Sequence, residues 1–280
     1  MNPLAVEAVG LMAPGLAGWT TSQAVLTGQR PYVAEPMPAA MATLLPANER
    51  RRVTATIKLA LQVAQEAMAQ ADIDAGAVRT VFASSGGDSE ILDKICVALT
   101  QPDRPVSPTH FHQSVHNTPA GYWAIAMGCM QPSLSLSAYD GSFAAGLREA
   151  AALAWADQAR VLLVVYDQPL PFPLAERRKI VAPFAVALLL NPVTTANRLA
   201  LLRLGPSATN EPADRLDDPD LERLRTGNPA ARGLPLLCAI ARRLRGRAVL
   251  AVDEHTTLSV EVAPGSGRWL PAAVATSAAR

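Results

Sequence analysis

Ser133-Leu134-Ser135-Leu136-Ser137-Ala138-Tyr139-Asp140-Gly141-Ser142-Phe143 passes from strict alternation to a run of small apolar residues within 11 positions. Leu134 and Leu136 read as a short buried strand, and the stretch from Gly141 to Ala156 reads as a buried helix. The result is a strand-to-helix elbow with Asp140 at its tip. Such an elbow presents one side chain at a helix N-terminus, where the dipole lowers a thiol pKa or stabilises an anion. In a cysteine-nucleophile enzyme built this way, the thiol would stand where this chain has Asp140.

Outward from the elbow, strands and helices alternate. Asn117 to Met130 is rich in small residues and is expected to be helical, with Pro119 in the first turn, where proline is tolerated. Ser84-Ser85-Gly86-Gly87 follows a short strand over 80–83 and precedes a helix from Asp88 to Leu99. Glu49 to Ala71 carries apolar residues at helical spacing, with Asn48 as its N-cap. Residues 4–17 suggest a strand and turn, whereas 19–46, with four prolines, read as loop. Arg160 to Tyr166 and Ala182 to Leu190 are nearly continuous apolar strands, as expected when both sheet faces are covered. A third strand spans 198–204. The alternation indicates α/β layers around a mixed sheet.

After Gly205 the composition becomes polar. Residues 206–228 read as an exposed linker with one short helix, 230–245 as an amphipathic helix, and 247–252 with 257–263 as a hairpin. The organisation expected is a large unit over 1–205, a short remnant over 206–263 and a flexible tail over 264–280.

The chain has 280 residues, of which 50% are apolar and 18% charged, with a formal net charge of +1. This supports a folded globular protein and provides no electrostatic case for nucleic acid or an anionic membrane. No apolar stretch is long enough for a span, and the N-terminus lacks a signal-peptide pattern. Cys96, Cys129 and Cys238 form no CxxC pair and read as core thiols in a reducing compartment, so a cytoplasmic location is expected.

Several residues admit two readings. Asp140 could be the N-cap of the following helix or an aspartyl nucleophile. His110, His112 and His116 could suggest metal ligation, but no Cys or carboxylate completes a set nearby, so loop or interface histidines are expected. The Ser84–Gly87 turn could bind an anion or simply be tight. Arg242, Arg243, Arg245 and Arg247 could form a solvated face or a dock for an acidic carrier protein.

The chain resembles the N-terminal half of β-ketoacyl synthases, members of the thiolase fold. Arg51-Arg52 opening an alanine-rich helix, Val81 to Gly87, and the 36 residues from Ser107 to Ser142 carry the likeness. Pro183 to Leu188 matches the strand that closes the first half. The resemblance implies a layered α-β-α thiolase-like fold, essentially its N-terminal half with a truncated C-terminal remnant. It places the family's acylated cysteine at Asp140, where a carboxylate could form only a reactive anhydride. It also implies that two histidines and a lysine of the second half are missing, since about 75 residues follow Gly205 and His255 is their sole histidine. The chain alone is therefore expected not to condense acyl groups, and no cofactor or metal is expected.

A synthase-like chain without its nucleophile resembles a chain-length factor, as in aryl polyene pathways. The implied role is a heterodimer with a ketosynthase, shaping an acyl or polyene tunnel and meeting acyl carrier protein through that complex. On this resemblance Phe111, His112, Val115, Asn117 and Tyr122 are interface candidates, and Tyr139 is a candidate to fill space that an acyl chain would otherwise use. Asp88, Ser89, Leu92 and Cys96, on one side of their helix, are tunnel candidates. The rival functions are a stand-alone hydrolase or acyltransferase using Asp140 or Ser142, and a homodimeric protein that binds acyl carriers or acyl chains.

Overall fold

A computed structural model describes residues 2–193, 198–207 and 211–265. The chain begins with strand β1 (Leu4–Ala13) and its short return β2 (Leu16–Ala17), then helices α1 (Trp19–Leu26), α2 (Ala47–Arg52) and α3 (Ala55–Ala71). Strand β3 (Arg79–Ala83) leads to α4 (Ser89–Leu99), α5 (Pro108–Gln113) and α6 (Thr118–Met127). The elbow is β4 (Ser133–Leu136), a 3₁₀ turn over Tyr139–Gly141, and α7 (Ser142–Asp157). Then come β5 (Val161–Asp167), α8 (Leu174–Arg177), β6 (Phe184–Asn191), β7 (Ala200–Pro206), α9 (Pro219–Gly227), α10 (Leu234–Arg242), β8 (Gly246–Ala251) and β9 (Thr257–Pro264).

The strands form one mixed sheet in the order β4-β3-β5-β6-β1-β7-β9-β8, with β2 beside β1. β3 pairs in parallel with both β4 and β5, and β6 is antiparallel to β5 and β1. Every residue of β5 and β6 is buried, as their long apolar runs require, including the polar residues Asp167 and Asn191 that end them. Alternate side chains enter two cores. One lies under α1, α7 and α10 and contains Val81, Leu163 and Val186; the other lies under α3 and α6 and contains Phe82, Leu162 and Trp123. The expected α-β-α layering is present.

β8 and β9 extend the sheet from β7, so strands on both sides of residue 205 share one sheet and one core. The polar stretch before α9 is bound along this hairpin: Asp214 N–H donates to Val249 O, and Asp214 Oδ2 accepts from Val249 N–H, both at 2.9 Å. The expected flexible tail over 264–280 falls almost wholly on 266–280, outside the described residues.

Several local expectations are corrected. Residues 19–26 form a helix, since the four prolines all lie beyond it; the N–H of Trp19 is satisfied by Glu66 Oε1 at 2.6 Å. Burial outweighs that bond and a second one from Leu11 N–H, and the Glu66 pKa is raised. The helix expected over 49–71 is two helices. Val53 turns extended into the core, Thr54 Oγ1 accepts from Ile57 N–H, and Asn48 instead accepts from Arg51. His110 and His112 lie on α5 rather than on a strand. Cys129 and Cys238 are buried, but Cys96 is exposed on α4. Among the described residues no helix is long and apolar enough to cross a membrane.

Candidate functional site

The elbow sits at the carboxyl end of the parallel strands. Ser142 Oγ accepts from Ala138 N–H at 3.0 Å and donates to Tyr139 O at 2.7 Å, closing the turn. Gly141 is demanded by close approach, because a Cβ there would lie 1.8 Å from Val252 O in the β8–β9 connection. Gly233 has the same logic: its missing Cβ leaves room for the Phe143 ring, which would otherwise be 2.1 Å away. Residues beyond 205 thus brace the back of the elbow.

Asp140 is not the N-cap. That position belongs to Gly141, and no side chain caps α7. The carboxylate turns sideways instead, with Oδ1 2.7 Å from Arg178 Nη2 and Oδ2 3.3 Å from Arg232 Nη2. Two guanidiniums stabilise the anion through charge-assisted bonds, an arrangement that attracts and positions but leaves no free nucleophile. Ser142, the other candidate nucleophile, is fully buried with its hydroxyl engaged on both sides.

The strand leading into the elbow is also not buried. β4 is the edge of the sheet; Ser133 and Leu134 are exposed and Ser135 and Leu136 half-buried. The segments that precede it also carry exposed apolar side chains, with Phe111 on α5, Val115 after it, Ile125 on α6 (83% exposed) and Met130 just ahead of the strand, and Leu134 is exposed on β4 itself. On α4 only Ile91 is buried, so Leu92 and Cys96 face solvent; Asp88 caps the helix by accepting from Ile91 N–H at 3.1 Å, and Ser89 begins it.

Four of the interface candidates meet in one cavity of about 340 Å³. His112, Val115, Asn117 and Tyr122 line it with Glu49, Thr118, Gly121 and Ile125. His112 and Tyr122 meet edge to face at 6.3 Å. Phe111 lies outside this lining, and Tyr139 stands at the elbow with Arg178 stacked 3.8 Å from its ring centre. Asp88, Ser89, Leu92 and Cys96 belong to the neighbouring α4 surface. Among the described residues no three His, Cys, Asp or Glu side chains gather as a metal site. Of the arginines near the C-terminus, Arg242 and Arg243 are exposed, while Arg247 is tied to Glu211 at 2.6 Å.

Sequence reading overlooked Asp167. This buried carboxylate ends the apolar strand β5 and accepts, on Oδ1, from Ser84 Oγ–H (3.0 Å), Ser85 N–H (2.9 Å) and Ser85 Oγ–H (2.8 Å). The anion held by the Ser84–Gly87 turn is therefore internal. Burial nevertheless dominates those bonds and pushes the Asp167 pKa up to about 6. Its Oδ2, the Tyr166 hydroxyl and Asp88 Oδ2 are buried without a hydrogen-bond partner. Ser137 Oγ donates to Ser85 O at 3.0 Å, connecting this cluster to the elbow. The signal available in the sequence was one acidic residue closing an otherwise apolar strand.

Known structures share this architecture. A ketosynthase (ApeO) in complex with its chain length factor (ApeC) from Xenorhabdus doucetiae contains a chain that is 24% identical, with a TM-score of 0.71; the match covers 93% of this chain and 99% of that one. The ishigamide ketosynthase/chain length factor matches at 13% identity and a TM-score of 0.70, covering 94% and 99%. A type II PKS acyl-carrier protein complex with its ketosynthase bound to the hexaketide (AntDE:AntF) matches at 11% and 0.72, again covering 94% and 99%. A search of curated proteins returns no match. The model of the β-ketoacyl synthase N-terminal domain matches residues 22–228, which include the edge strand, the elbow and Asp140. The thiolase-like fold and this match together make the chain a member of the β-ketoacyl synthase N-terminal domain family.

Proposed function

We propose that this chain is a non-catalytic, chain-length-factor-like subunit that pairs with a β-ketoacyl synthase and supplies one wall of the tunnel for a growing acyl or polyene chain. The observation that carries this reading is the elbow itself, where a carboxylate held by two arginines stands beside an open sheet edge; the resemblance puts the family's cysteine at that same position. An unpaired edge flanked by exposed apolar side chains invites a partner strand and a partner surface. The structural likeness to ketosynthase/chain length factor complexes supports the same partner. The resemblance to chain-length factors of aryl polyene pathways favours an aryl polyene product, and the AntDE:AntF complex favours an acyl carrier protein that reaches the pair. We place the complex in the cytoplasm, in keeping with three unpaired cysteines.

Co-expression with each β-ketoacyl synthase of the source genome tests the reading. A stable one-to-one complex, active in elongation only when both subunits are present, is the expected result. A chain that stays a well-behaved monomer with every synthase overturns it.

A further inference from the structure

Tyr139 occupies an unusual position. Its backbone is left-handed, with φ at 50°, a conformation costly for an aromatic L-residue. The residue is 63% exposed, so burial does not compensate that cost. The Arg178 guanidinium lies 3.8 Å over the ring centre, a cation–π contact, and Asp140 Oδ1 holds the same guanidinium at 2.7 Å. Arg232, from the turn before α10, grips the other carboxylate oxygen at 3.3 Å and also donates to Thr226 O at 3.4 Å. The carboxylate thus joins three segments distant in sequence: the elbow, the stretch between β5 and β6, and the turn over 229–233. Without its charge, two cations would face each other across the elbow.

We infer that Asp140 is a positioning residue: by anchoring Arg178 and Arg232 it holds the Tyr139 ring outward as a rigid contact for the synthase subunit. The inference rests on the function proposed above. A fixed aromatic ring, ordered before binding, loses little freedom on association and is the residue type that dominates interface energetics. Tyr139 follows the open edge strand by three residues, so its exposed ring stands just beyond the end of that edge. The carboxylate that replaces the nucleophile is thereby given a different task.

A double-mutant cycle on the complex tests this. Asp140→Asn and Tyr139→Ala are each expected to weaken binding to the synthase about tenfold, and the double variant no more than Tyr139→Ala alone. Additive losses, or wild-type affinity for Asp140→Asn, would overturn the inference even though the complex forms. A second readout needs no partner. With ¹³C-labelled tyrosine, and only four tyrosines in the chain, ring order at position 139 can be followed by NMR in the isolated protein. Asp140→Asn should mobilise that ring, and Asp140→Glu should restore part of its order. An equally ordered ring in Asp140→Asn refutes the positioning role. Failure of wild type to bind any synthase, with the ring still mobilised, instead removes the partner while leaving the clamp.

Discussion

Helices α7 and α4 are both rich in apolar residues, but α7 hides them and α4 does not. α7 buries eight of its sixteen residues against the sheet and the turn over 229–233. α4 buries Ile91 alone, although Leu92, Ile95, Val97 and Leu99 lie on the same short helix. Apolar surface left in water gains nothing for the fold, whereas the same surface covered by another molecule contributes to association. On the function proposed above the contrast separates two jobs: the back of the elbow holds the chain together, and the exposed α4 surface is left for the partner. Variants ranked by their effect on the isolated fold can break or sharpen that division.

The back of the elbow should give the largest effect. Phe143 is fully buried and seated on Gly233. Phe143→Ala is expected to cost about 3–5 kcal/mol in chemical denaturation, because the glycine backbone beneath cannot refill the space. A loss below about 1 kcal/mol would mean that residues beyond 205 do not brace the elbow as described.

Next comes the buried carboxylate of Asp167. Its pKa is raised from 3.8 to about 6, so its contribution is fully present below 3.8 and is lost as pH rises through about 6. The gap corresponds to roughly 3 kcal/mol of stability forgone at neutral pH. Asp167→Asn keeps an acceptor for the Ser84 and Ser85 donors without the charge. Unfolding free energies of wild type and variant should therefore diverge between pH 4 and 7.5, with the variant gaining as pH rises. A difference independent of pH would show that the group does not titrate in that window.

A smaller effect concerns how much of this was legible in the sequence. The apolar runs of β5 and β6 and the elbow could be read directly, because periodicity reports burial. The break between α2 and α3 could not, since helical spacing continues across it and only the Thr54 hydroxyl and the inward turn of Val53 show where the chain restarts. Thr54→Ala should cost about 1 kcal/mol, and Asn48→Ala close to nothing, in thermal or urea unfolding. The Asp140 clamp was hidden for a different reason. Arg178 and Arg232 are 38 and 92 residues away, and local pattern carries no information about such pairs. Exposure of β4 was hidden too, because alternating Leu and Ser look the same on an edge strand awaiting a partner as on a covered one.

Ile125→Asp should change the isolated fold least. The side chain is 83% exposed, so the isolated chain is expected to keep its stability within about 0.5 kcal/mol. In the complex with the synthase the same carboxylate would be desolvated beside Val115 and the cavity that Ile125 lines, and affinity should fall about a hundredfold. Isothermal titration against the synthase, paired with urea unfolding of the variant alone, separates the two quantities. Equal stability with lost binding places the division between the two faces of the elbow where the burial pattern draws it. Lost stability with intact binding would place Ile125 in the fold and dissolve the contrast between α7 and the α4–α6 surface.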